Sequence, residues 1–142
     1  MDRYSIVKGL AVAFFLFVLI FPERAVRAQG DSSMPVEATD ATFDQEVSKS
    51  DLPVILEFYS PRCGHCMKME SVVNSLAGEF AGQAKVVKVN VLSNAVSPSR
   101  FGVHGVPAFY IVKNGEVVTS AVGSMSEEEL RRRLGLEVSA AP

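Results

Sequence analysis

Apolar positions along this chain fall into runs of two kinds. Val54-Ile55-Leu56-Glu57-Phe58-Tyr59 is apolar at successive positions, interrupted only by Glu57. A strand without polar alternation is one covered on both faces, so this run predicts a central strand. A few residues later Cys66, Met69, Val73, Leu76 and Phe80 recur at steps of three and four. That spacing predicts a helix with one face on the core, with Lys68, Glu70, Asn74 and Glu79 mostly elsewhere and solvated. The strand period returns at Lys85 to Val91, where Val86, Val87, Val89 and Val91 predict a third strand. Ala108 to Lys113 and Glu116 to Val122 are two β-rich runs around Asn114-Gly115. Both turn residues tolerate positive φ, which predicts a tight hairpin.

Shorter signals complete the order. Val36 to Thr39 suits a short edge strand. Thr42 with Gln45 three residues later has capping-box spacing, which predicts a first helix over about 42–48, ended by Asp51-Leu52-Pro53. Ser93 to Phe101 is polar and predicts a short helix interrupted at Pro98. Ser126 and Glu129 form a second capping box. Glu127/Arg131, Glu128/Arg132 and Glu129/Arg133 are then i,i+4 pairs, with Leu130 and Leu134 on the docking face and Gly135 as the stop. Glu137 to Pro142 is expected to fray. Strand, helix, strand, helix, strand, helix, hairpin and terminal helix add up to an α/β domain, a mixed sheet flanked by helices.

The N-terminus changes the domain count. Arg3 and Lys8 precede an apolar run from Gly9 to Phe21, and Val26-Arg27-Ala28 offers small residues at the −3 and −1 positions before Gln29. This is the layout of a secretory signal peptide, residues 1–28. The rival reading is an uncleaved membrane anchor at residues 9–21, although a span wants ~20 apolar residues and Pro22-Glu23-Arg24 cuts the run short. Residues 29–35 read as a flexible linker and 36–142 as the folded domain. Export implies an extracytoplasmic location, periplasmic or secreted, where disulfides persist. Without the leader, ten basic residues face fourteen acidic ones, a net charge of −4. Such a domain has no electrostatic reason to bind nucleic acid.

The two cysteines, Cys63 and Cys66, stand where the central strand gives way to the helix. At this spacing a disulfide closes almost no loop and is a poor staple, so the pair is expected to be functional. Strand, Cys-x-x-Cys, helix is a thiol–disulfide redox arrangement, because a helix N-terminus favours a thiolate. Cys63 is the expected nucleophile, exposed at the helix end. Cys66, one turn in, is the expected resolving thiol. Passive readings stay open: an inert disulfide, or half a zinc site completed by His65 or His104.

The segment Glu57-Phe58-Tyr59-Ser60-Pro61-Arg62-Cys63-Gly64-His65-Cys66 resembles the active-site stretch of thioredoxin-fold proteins, protein disulfide isomerase domains above all. Gly102-Val103-His104-Gly105-Val106-Pro107 and Lys113-Asn114-Gly115-Glu116 extend the resemblance in family order over roughly residues 36 to 135. It implies a thioredoxin fold and exchange of electrons with protein cysteines. Partners would be protein substrates bearing disulfides or thiols, with an unidentified protein or small thiol as electron donor or acceptor. No nucleotide or flavin motif is present, and no cofactor or metal is expected.

The resemblance also assigns positions. Glu57 matches a buried acid that exchanges a proton with the resolving cysteine. Lys88 matches the lysine beside it on the next strand. Pro107 matches a proline after a cis bond that packs against the cysteines. Gly64, Val91, Gly105, Val106, Val122 and Gly123 match positions around the substrate groove. Val91 and Val122 also read as plain core, Pro107 as an ordinary strand-start proline, and Glu57 as a sheet-edge acid reaching solvent. His65 and Arg62 are expected to tune the Cys63 thiol through positive charge. Arg62 stands where the family usually has Trp, and Ser71 where it often has a helix-kinking proline. His104 has no assigned role. The favoured direction is reduction of substrate disulfides. Oxidase or isomerase activity, and a binding module with a passive disulfide, are the alternatives.

Overall fold

The computed structural model describes residues 33–136. The signal peptide, the candidate anchor, most of the linker and the tail from Glu137 lie outside the described residues. Nine elements follow in order: β1 (Val36–Glu37), α1 (Asp44–Ser48), β2 (Val54–Tyr59), α2 (Gly64–Glu79), β3 (Lys85–Asn90), α3 (Val96–Arg100), β4 (Ala108–Lys113), β5 (Glu116–Val122) and α4 (Glu127–Leu134). The strands form one sheet in the order β1-β3-β2-β4-β5. β1 and β2 run parallel to β3, whereas β2–β4 and β4–β5 are antiparallel. This is the mixed sheet the patterning predicts, with β2 in the middle.

Side-chain alternation along β2 divides the core between the two faces of the sheet. Ile55 packs with Met69, Val73, Leu76 and Ala77 of α2 and with Leu130 and Leu134 of α4. Val54, Leu56 and Phe58 point the other way, into a core with Phe43, Val47, Val87, Val89 and Tyr110. Aromatic rings fill that second face: Phe101 meets Phe43 edge-on at 5.4 Å between centroids and Tyr110 edge-on at 5.2 Å. Such edge contacts match ring edges to π faces. α2 runs unbroken for 16 residues with Ser71 exposed in it.

Local signals held where their partners are local. Asn114 (φ 53°) and Gly115 (φ 80°) both adopt left-handed backbone, and Lys113 pairs with Glu116 across a two-residue turn. In β5 the ladder steps from Thr119 to Val117, so Val118 is an extra, bulged residue. Ser126 Oγ accepts the Glu129 N–H at 3.2 Å, and Gly135 (φ 65°) ends α4 while the Leu136 N–H returns to the Arg131 carbonyl.

Three expectations need correction. Thr42 does not cap α1: its hydroxyl accepts the Thr39 N–H at 3.0 Å, and α1 starts from Phe43 as a single π turn closed by Lys49 N–H to Asp44 O. Pro98 does not interrupt α3. It lies in the first turn, where its missing N–H has no intrahelical partner to lose. The amides there are taken by Asp40: Oδ2 accepts Ala95 and Val96, and Oδ1 accepts the N–H and hydroxyl of Ser97 at 2.8 and 2.7 Å. Finally, Arg132 pairs with Glu129 rather than Glu128. Arg131 joins Glu127 and also reaches Glu79 of α2, tying the two helices together.

Candidate active site

β2 ends at Tyr59, and Ser60-Pro61-Arg62 turns the chain into α2. Ser60 is buried, its hydroxyl accepting the Arg62 N–H and its carbonyl the Cys63 N–H. This turn sets Cys63 at the N-cap of α2 (φ −96°, ψ 111°). Its sulfur takes the place of a capping oxygen and accepts the Cys66 N–H at 3.3 Å. Cys63 is half-buried, while Cys66, one turn on, is 4% exposed. Both are free thiols in this structure.

The two sulfurs are chemically unequal. The Cys66 thiol, then the Cys66 N–H, hydrogen-bond to Cys63 and hold its pKa below the ordinary thiol value. The backbone N–H of His65 acts in the same direction. Burial pushes the Cys66 thiol up to about 11, with the bond to Cys63 adding to the rise. His65 therefore acts on Cys63 through its backbone, and its side chain and that of Arg62 both face solvent.

Glu57 lies in the centre of the sheet, not at an edge, and is 2% exposed. It points to the α2 face, between Lys88 of β3 and Phe109 of β4 in the ladders. Its Oε2 is buried without a hydrogen-bond partner. Burial lifts its pKa to about 7. Lys88 pulls the other way, while Glu37 and Glu70 reinforce the rise. The Lys88 Nζ lies over the face of the Tyr59 ring, 4.4 Å from its centroid.

The loop before β4 closes the site from the other side. The Val106–Pro107 peptide is cis, and the Cys63 thiol donates to the Val106 carbonyl at 3.7 Å. Pro107 is buried, and its carbonyl accepts the Gly123 N–H at 2.8 Å. Gly105 lies against Val122, within 4.0 Å of Cγ1 for a Cβ placed there. Val122 itself is 56% exposed, so it is not core. Gly64, the first helical residue, faces open space. Cys63, Gly64, Gly105, Val106, Val122 and Gly123 thus lie on one side of the molecule, with Pro107 buried beneath them. Met67, one turn beyond Cys63, is 65% exposed and was not singled out from the sequence. Val91 stands apart, packed against the aromatic core. His104 is exposed. Among the described residues no group of three His, Cys, Asp or Glu side chains is placed to hold a metal, and no helix is long and apolar enough to cross a membrane.

A half-exposed, pKa-lowered thiol at a helix start, a covered partner thiol beneath it and a buried acid behind both define a dithiol redox site on an α/β sheet. The profile of the thioredoxin family matches residues 34–135. Thioredoxin from Haemophilus influenzae is 43% identical over 91 residues, 64% of this chain and 85% of its own. Thioredoxin 1 of a Nostoc species is 38% identical over 102 residues, 72% and 95% of the two chains, and thioredoxin of Porphyra purpurea 36% over 103 residues, 72% and 96%. The chain belongs to the thioredoxin family, and it is a thiol–disulfide oxidoreductase with a Cys63/Cys66 dithiol pair.

Proposed function

We propose that this protein is an exported reductase of protein disulfides. The observation that carries the chemistry is the inequality of its thiols, with Cys63 half-exposed and held low and Cys66 buried and raised to about 11. The Cys63 thiolate attacks one sulfur of a substrate disulfide. A mixed disulfide forms and the other substrate sulfur leaves as thiolate. The substrate backbone lies along Gly105-Val106-Pro107, beside Val122 and Gly123, as an added extended segment. The Glu57 carboxylate then takes the Cys66 proton, and the resulting thiolate attacks Cys63 Sγ, releasing the second substrate thiolate. The product is a Cys63–Cys66 disulfide, and two electrons have passed to the substrate. An external thiol donor restores the dithiol.

Export rests on the charged start, apolar run and Val26-Arg27-Ala28 of the leader. Insulin reduction with dithiothreitol tests the activity: turnover is expected from the parent and none from Cys63→Ser. A glutathione titration tests direction. A potential near about −270 mV supports a reductase, and one near about −180 mV would make it an isomerase. Intact mass of the protein expressed with its leader tests export. A chain beginning at Gln29 is expected, and one retaining Met1 would overturn cleavage.

A further inference from the structure

Three charged side chains stand in a row across the sheet. The ladders pair Glu37 of β1 with Lys88 of β3, and Lys88 with Glu57 of β2. Lys88 therefore lies between two carboxylates, an exposed one at the sheet edge and a buried one in its middle. Tyr59, two residues after Glu57 and on the same face, touches both Lys88 and Glu37. Its hydroxyl donates to Glu37 Oε1 at 2.8 Å, and its ring lies beneath the Lys88 ammonium. A lysine so placed gains from the ring's π face. Glu57 Oε2 is left without a donor.

We propose that Glu37 and Tyr59 are positioning residues that hold Lys88 toward the sheet edge and so keep Glu57 a competent proton acceptor for Cys66. This inference rests on the reading of Glu57 given above. A carboxylate bonded to an ammonium is a weak base, since the charge pair favours its ionised form. Transfer from a thiol at about 11 is easier the higher the acceptor stands. In the step itself the S–H proton goes to a Glu57 oxygen and its electron pair stays on Cys66 Sγ. The groups that face Glu57 are Lys88 from β3, Glu37 from β1, Tyr59 from its own strand, Glu70 and Cys66 from α2, Cys63 at the α2 N-cap, and the uncharged Phe109 from β4.

The test follows the Glu57 carboxyl carbon by NMR across pH in the reduced protein. Glu37→Gln/Tyr59→Leu is compared with the parent, in the Lys88 background and again with Lys88→Met. With Lys88 present, release of the lysine should lower the Glu57 midpoint by about one pH unit, the low end for an opposite charge at ~4–6 Å. With Lys88→Met the same pair of substitutions should move it less than half as far. Tyr59→Phe, which keeps the ring, should retain the parent midpoint. Equal shifts in both backgrounds would overturn the proposal, because the edge residues would then act only through their own charge and cover. An unmoved midpoint would overturn it too. Glu37 is exposed, so Glu37→Gln alone supplies the same comparison if the double variant fails to fold. Midpoints that behave as expected in a protein that does not reduce insulin would refute the reductase reading and leave the positioning role standing.

Discussion

Replacing Glu57 by Gln should remove a specific pH dependence of folding. In the native protein this carboxyl titrates at about 7, against an ordinary value of 4.5, chiefly because burial penalises its ionised form. A raised acid stabilises the fold at low pH, where both states hold the proton. Between the two values the unfolded chain releases its proton while the native state keeps it, so stability falls as pH rises. At ~1.36 kcal/mol per pH unit the whole gap is worth about 3 kcal/mol, of which about 2.5 kcal/mol is lost between pH 5 and pH 8. Above about pH 8 no further loss comes from this group. Glu57→Gln keeps the shape and cannot ionise, so its stability minus the parent's should grow by that amount from pH 5 to pH 8. Urea unfolding of the reduced proteins measures it, and the difference cancels the titration of shared surface groups. Two stability curves that stay parallel from pH 5 to pH 8 would refute the reasoning. They would mean that water or Lys88 reaches the carboxylate in the native state.

Brief iodoacetamide treatment of the reduced protein near neutral pH should label Cys63 first, because burial and the raised Cys66 thiol leave the latter at least ~100-fold poorer in thiolate. Peptide mass spectrometry reads the ratio, and preferential label on Cys66 would reverse the roles. Asp40→Ala should lower the midpoint of thermal unfolding. Asp40 titrates at about 2, held down first by the Ser97 hydroxyl, so its contribution is present above about pH 4 and fades as pH falls toward 2. Parent and variant should converge there. Gly115→Ala should destabilise by ~1–2 kcal/mol from its left-handed backbone alone. The added Cβ would also come within 3.0 Å of the Ser48 carbonyl oxygen, and an unchanged urea midpoint would contradict both effects.

What could be read along the chain was what neighbours in sequence decide. Asn114-Gly115 needs only its own two residues to make a turn, and Ser126 needs only Glu129. The cysteine pair announced itself because strand, motif and helix are contiguous. The contributions of Glu37 and Asp40 were illegible for the opposite reason. Glu37 looks like a solvent residue of a short strand until β1 is laid beside Lys88. Asp40 is separated by 57 positions from the Ser97 it caps. Thr42 misled because a capping box states only what a hydroxyl can reach, and here the Thr39 N–H was available to it as well. At Arg62 and His65 the charge was legible, but the lowering of Cys63 came first from Cys66 and then from backbone amides, which every sequence possesses.

The Asp40 clamp makes the stability of one segment depend on another far away in the chain. α3 has five residues, a proline in its first turn and no side-chain cap of its own, so it has no independent stability. Its first amides are satisfied only when the loop after β1 has arrived, from more than fifty positions away. Phe101 at its end feeds the aromatic cluster, and the chain runs on from there to the Val106 carbonyl that meets Cys63. The amides of residues 95–97 are therefore reporters of a distant event. Their hydrogen-exchange protection reports the docking of the Asp40 loop, so opening of that loop loosens the segment that leads to the wall of the redox site facing Cys63.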